Sequence, residues 1–128
     1  MSEQLRVVLV DDHSLCRRGL TELLTHRYDI TVVGATGNVK ELGELLREHK
    51  PDLLVMDLRM EPLDGLSVLA QIRKEGHDTP VVILTMSDSE ADLASALRAG
   101  VRGYLLKDMA PDDVADAIRR VAAGEMVV

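Results

Sequence analysis

Leu53-Leu54-Val55-Met56-Asp57-Leu58-Arg59-Met60 follows Pro51 and Asp52 and runs toward Pro62 and Gly65. Four consecutive apolar residues lead directly into one carboxylate. An apolar run of this length after a proline suits a strand buried on both faces of a sheet. Asp57 then stands at the strand's C-terminal end, the edge at which open α/β sheets bind their ligands. An acid in that place calls for a chemical role.

Working outward, the remainder of the chain alternates in the same way. Leu5-Arg6-Val7-Val8-Leu9-Val10 reads as a first strand that ends at Asp11-Asp12. Ser14 is the expected N-cap of a helix running to about Arg27, with Cys16, Leu20, Leu23 and Leu24 inward. Ile30 to Ala35 is a second strand nearer an edge, and Asn38 with Glu41 resembles a capping box opening the second helix. Val39, Leu42 and Leu46 form that helix's apolar stripe, and Pro51 stops it. A third helix begins near Gly65, carries Leu69 and Ile72 inward, and stops at Gly76. Pro80 to Leu84 is a fourth strand ending at Thr85, and Ser87 with Glu90 suggests another capping box before a helix that ends at Gly100. Val101 to Leu106 is the fifth strand, followed by Lys107. Pro111 suits the first turn of a last helix, with Asp112 and Asp113 favourable to its dipole. Strands alternating with helices predict an α/β fold: a doubly wound, five-stranded parallel sheet with helices on both faces.

Composition narrows the function. The 128 residues suit one domain, and with only Tyr28 and Tyr104 as aromatics the core must be aliphatic. A net charge of −7 argues against this segment gripping nucleic acid by itself. The single cysteine, Cys16, excludes an internal disulfide and reads as a small core residue rather than a reactive thiol. No apolar stretch approaches the roughly 20 residues of a membrane span, and no signal peptide is legible, so the expected location is cytoplasmic.

In a parallel sheet the C-terminal strand ends share one edge. Asp11, Asp12, Asp57, Thr85 and Lys107 therefore gather there. Clustered carboxylates repel one another unless a cation intervenes, and an all-oxygen donor set favours a hard ion, Mg²⁺ first. Such a site keeps waters and receives a phosphate; Lys107 and Thr85 can meet further phosphate oxygens. The collection suits phosphoryl transfer, in which a carboxylate can itself be the nucleophile. His13, beside the acids, reads as a rim residue.

The residues Val10-Asp11-Asp12, Met56-Asp57-Leu58, Asp64-Gly65, Leu84-Thr85 and Gly103-Tyr104-Leu105-Leu106-Lys107-Asp108 together resemble a two-component response regulator receiver domain over essentially the whole chain. Asp12-His13, Ile83-Leu84-Thr85-Met86-Ser87-Asp88 and Tyr104 to Asp108 are similar to the NarL/FixJ subfamily, whose output domains are LuxR-type. The resemblance implies the flavodoxin-like strand order 2-1-3-4-5. It implies Asp57 as phosphoacceptor, a sensor histidine kinase as donor, and Mg²⁺ held by Asp11, Asp12, Asp57 and the backbone carbonyl of Arg59. Thr85 and Lys107 would bind phosphoryl oxygens, with Thr85 and Tyr104 as the switch pair. It further implies a receiver over residues 1–124, the start of a linker at 125–128, and a C-terminal helix-turn-helix domain that binds DNA. Phosphorylation would promote a homodimer through the first and fifth helices or through the fourth and fifth. Such a protein controls transcription and assists its own phosphorylation without being a turnover enzyme.

The chain departs from the family pattern at three places. Met60-Glu61-Pro62 delays a proline by one residue, Lys107-Asp108 stands where Lys-Pro is common, and Met86 is larger than the usual neighbour of Thr85 and could screen the phosphoryl group. Three other functions compete. An aspartyl phosphohydrolase would need a second acid where Arg59 stands, and guanidinium does not transfer protons at neutral pH. A nucleotide-binding Rossmann domain would need a glycine-rich first turn that is absent here. A phosphorylation-independent interaction module would not need the complete set of acids, threonine and lysine.

Overall fold

The structure is a computed structural model and describes residues 4–60 and 64–128. In chain order the elements are β1 (Arg6–Val10), α1 (Ser14–Arg27), β2 (Thr31–Thr36), a single 3-10 turn (Val39–Glu41), α2 (Leu42–His49), β3 (Leu53–Met56), α3 (Gly65–Lys74), β4 (Val81–Thr85), α4 (Glu90–Ala99), β5 (Gly103–Leu106) and α5 (Pro111–Ala122). The strands form one parallel sheet in the order β2-β1-β3-β4-β5, as expected from the resemblance.

The strand residues sort by period two onto two aliphatic cores. Val8, Val10, Leu54, Met56, Val81 and Ile83 pack with Leu42, Leu46, Leu69, Ile72 and Ala96 beneath α2, α3 and α4. Val7, Leu9, Leu53, Val55, Val82 and Leu84 pack with Leu24, Val114, Ile118 and Val121 beneath α1 and α5. All four residues of β3 are wholly buried, which is why its sequence is continuously apolar. On α1, Leu24 is buried, whereas Cys16, Leu20 and Leu23 are only half-buried.

Three helix starts differ from the sequence reading. Ser14 is the first residue of α1 rather than its cap; His13 is the cap residue and makes no side-chain cap bond. The reason is that the Asp11 carboxylate already takes the His13 backbone N–H at 2.8 Å. Asn38 does cap, but it caps the 3-10 turn, accepting from the Lys40 N–H at 3.0 Å. Glu41 does not reach back to Asn38; its carboxylate accepts from the Thr36 hydroxyl at 2.7 Å, while that hydroxyl accepts the Asn38 N–H at 3.0 Å. The fourth helix is capped by Ser89, which accepts from the Asp92 N–H, because the Ser87 hydroxyl is engaged with the Asp92 carboxylate instead.

Within residues 125–128, Val127 pairs with the sheet edge. Val127 donates to the Arg102 carbonyl and accepts from the Tyr104 N–H, both at 3.0 Å, making one parallel bridge beside β5. The bridge covers part of an edge strand that would otherwise present unpaired backbone groups.

Gly65 opens α3, and its N–H donates to the Leu58 carbonyl at 2.7 Å. A Cβ there would lie 2.5 Å from the Asp57 carbonyl oxygen, which is backbone and cannot swing aside. Gly65→Ala is therefore expected to displace the Asp57 segment and to lower stability by about 1–3 kcal/mol, the usual range for overpacking. Urea unfolding measures this; an unchanged midpoint would show that the loop yields freely.

Candidate phosphoacceptor site

Each acid arrives at the sheet edge by a different backbone path. Asp11 follows β1 and anchors there, its N–H donating to the Thr36 carbonyl of β2 at 3.1 Å. Asp57 follows β3, and its N–H donates to the Val10 carbonyl at 3.0 Å, so the two acids lie side by side at adjacent strand ends. Lys107 follows β5 and ties to β4 through its N–H and the Thr85 carbonyl, at 2.8 Å. Sheet register, rather than any local motif, brings them together.

Within the site, the Lys107 Nζ stands 2.8 Å from Asp11 Oδ2 and 2.9 Å from Asp57 Oδ2. The side chains of both acids are 4% exposed and that of Lys107 is 11% exposed. Burial disfavours the ammonium, but hydrogen bonds to the two carboxylates outweigh it and hold Lys107 above its ordinary range. Burial likewise raises Asp11, and the bonds from Lys107 and the His13 N–H more than reverse this, leaving it below the ordinary carboxylate range. The other Asp57 oxygen, Oδ1, accepts the Arg59 backbone N–H at 3.3 Å.

Asp12 lies at the rim with a more exposed side chain, its Oδ1 3.3 Å from His13 Nδ1. His13 is exposed, as its reading as a rim residue requires, yet its Nδ1 also lies 3.2 Å from Asp11 and 3.6 Å from Asp57. One donor atom from each of Asp11, Asp12, His13 and Asp57 falls within 4.8 Å of the others, so the pocket could hold a metal ion. Three carboxylate donors suit a hard cation, and the imidazole adds a nitrogen the ion can leave unused.

Thr85 is fully buried, and its Oγ1 accepts the Ser87 N–H at 3.2 Å. Tyr104 is 8% exposed, already facing inward, with its hydroxyl donating to the Ser87 carbonyl at 3.0 Å. Met86, next to Thr85, is 72% exposed. Glu61 and Pro62 lie outside the described residues. The Cys16 thiol is pushed up by burial and by neighbouring Asp11, which favours its unreactive, protonated form.

Two contacts had no legible signal in the sequence. The Arg17 guanidinium donates to the Asp11 backbone carbonyl from one turn along α1. Arg59, exposed in its side chain, pairs with Asp92 of α4.

Residues 7–119 match the family model described as the response regulator receiver domain. The chain belongs to the response regulator receiver family. It is 40% identical over 126 residues to the nitrate/nitrite response regulator protein NarL of Escherichia coli (strain K12), covering 98% of this chain and 58% of that protein. Among solved structures, the receiver domain of a NarL response regulator from Mycobacterium tuberculosis superposes with a TM-score of 0.89 at 34% identity, covering 97% of this chain and all of that one. A LuxR-family two-component response regulator from Aurantimonas sp. SI85-9A1 superposes with a TM-score of 0.91 at 32% identity, covering 98% and 90% respectively. This receiver is thus of the NarL/LuxR type, and it spans a little over half the length of its NarL relative. Among the described residues, no helix is long and apolar enough to cross a membrane.

The buried triplet of charges gives a stability test. Lys107→Met keeps the apolar stem but leaves Asp11 and Asp57 without their cation, and breaking such a buried pair typically costs about 3–5 kcal/mol. The depressed Asp11 stabilises the fold above its ordinary value and loses that contribution as pH falls through its lower folded value. The raised Lys107 stabilises below its ordinary value and loses that contribution only as pH rises through its higher folded value. Wild type should therefore hold this contribution across neutral pH. The deficit of Lys107→Met should be large at pH 7 and shrink as pH falls through the carboxylate range, beginning above the ordinary carboxylate value, because burial raises Asp11 once the ammonium is gone. Urea midpoints against pH measure it, and a deficit independent of pH would rule the electrostatic account out.

Proposed function

We propose that this receiver accepts a phosphoryl group on Asp57 from the phosphohistidine of a sensor kinase. The observation that carries the reading is the placement of Asp57: a buried carboxylate at the end of β3, with Asp11 and Asp12 beside it and the Lys107 ammonium 2.9 Å away. In the transfer an Asp57 oxygen forms the new P–O bond as the donor's P–N bond breaks. The histidine leaves with the electron pair and takes up a proton.

Asp11, Asp12, Asp57 and the Arg59 backbone carbonyl would hold Mg²⁺, whose positive charge would offset the negative charge of the transferred group. Lys107 is preorganised against Asp57 and need move little to meet a phosphoryl oxygen. The Thr85 hydroxyl would turn from the Ser87 N–H toward another oxygen, and Tyr104, bonded to the same residue, would follow that change. Charge added at one sheet edge then biases the packing of α4, β5 and α5.

The receiver reading covers residues 1–124, with the linker starting at 125–128. By its likeness to LuxR-family regulators, a C-terminal helix-turn-helix domain would be the DNA-binding output, in a cytoplasmic transcription regulator. Phosphorylation would favour a homodimer. The half-buried apolar groove of Cys16, Leu20, Leu23, Met109 and Val114 between α1 and α5 is one surface for it, and the groove at Leu93, Tyr104, Leu106 and Val128 is the other. Phosphohydrolase turnover is disfavoured, since the position for a general acid is Arg59, already ion-paired to Asp92.

Incubation with acetyl phosphate and Mg²⁺, followed by intact mass, should add one phosphoryl group. The adduct should be absent with EDTA and absent in Asp57→Asn. An unmodified wild type under all conditions refutes the phosphoacceptor reading, and steady hydrolysis of a phosphate ester would favour the enzyme.

A further inference from the structure

Arg59 lies two residues beyond Asp57, and its backbone N–H touches the Asp57 carboxylate at 3.3 Å. Its side chain crosses to α4, where Nη2 sits 2.7 Å from Asp92 Oδ2. That same oxygen accepts from the Ser87 hydroxyl at 2.5 Å. Ser87 in turn holds both switch residues: its N–H donates to Thr85 Oγ1 at 3.2 Å and its carbonyl accepts from the Tyr104 hydroxyl at 3.0 Å. Asp92 is itself fixed, because its backbone N–H is capped by Ser89 in the first turn of α4. One carboxylate oxygen therefore joins the loop that carries Arg59 to the loop that carries Ser87, just past the end of β4.

We propose that Asp92 is a positioning residue for phosphorylation: it holds the Arg59 guanidinium on α4 and yields it to the anion arriving at Asp57. The inference rests on the phosphoacceptor reading above. The Arg59 side chain is 70% exposed and that of Asp92 is 24% exposed, and pairs of this kind exchange readily. A phosphoryl group brings about −1.5 to −2 charges and three acceptor oxygens, which outcompetes one carboxylate for a planar guanidinium. Loss of Arg59 leaves Asp92 Oδ2 with Ser87 alone, at the residue through which Thr85 and Tyr104 are both held. The pair thus restrains the approach of an anionic donor, and its opening passes the event at Asp57 to the β4–α4 loop.

The test is the rate of adduct formation with acetyl phosphate and Mg²⁺, followed by intact mass, for wild type, Asp92→Asn, Arg59→Ala and the double variant. Asp92→Asn keeps the shape of the side chain and should react several-fold faster, because the guanidinium is then free to meet the donor. In the Arg59→Ala background the same change should give little gain, an interdependence that general loosening of α4 would not produce. An unchanged or slower Asp92→Asn overturns the inference, as does an equal gain with and without Arg59. A wild type that forms no adduct overturns the phosphoacceptor reading itself, a different failure that the wild-type control identifies.

Discussion

The site depends on one cation shared by two buried acids. Asp11 and Asp57 stand at adjacent strand ends with their side chains almost wholly removed from water, an arrangement that like-charge repulsion and desolvation both oppose. The Lys107 ammonium answers both at once, bonding each carboxylate at under 3 Å. It reaches them from β5, across β4, so the interaction exists only when the far side of the sheet is assembled. Charge balance at the site and closure of the sheet edge are therefore the same event.

Around that clamp, the aliphatic sheet acts as a rigid frame. β3 is buried on both faces and leaves Asp57 no freedom to retreat into solvent. Gly65 allows the start of α3 to press against the Asp57 carbonyl, fixing the acid's backbone from the other side. Above this frame lie the polar loops that carry Arg59 and Ser87.

Those loops are joined by side chains more than by backbone. Ser87 touches Thr85, Tyr104 and Asp92, and Asp92 touches Arg59, so residues on three separate segments share one hydrogen-bonded chain. Ser87 does not cap α4 for this reason: its hydroxyl serves the chain across the loop, and Ser89 serves the helix. The misplaced cap at Ser14 has the same origin, with Asp11 taking the first free N–H of the turn.

Much of the fold and the site is legible in the sequence. The continuous apolar run ahead of Asp57, the alternation of strands and helices, and the gathering of Asp11, Asp12, Thr85 and Lys107 at strand ends follow from periodicity and parallel topology. These are properties of chain neighbours, which sequence records directly. What the sequence could not reveal were the pairings between distant residues. The Arg59–Asp92 bridge, the Arg17 bond to the Asp11 carbonyl, the His13 ring among three acids and the Val127 bridge to β5 depend on distances set by packing. A side chain's choice among several partners is a contest of small energies, decided by which groups the folded sheet has already brought within reach.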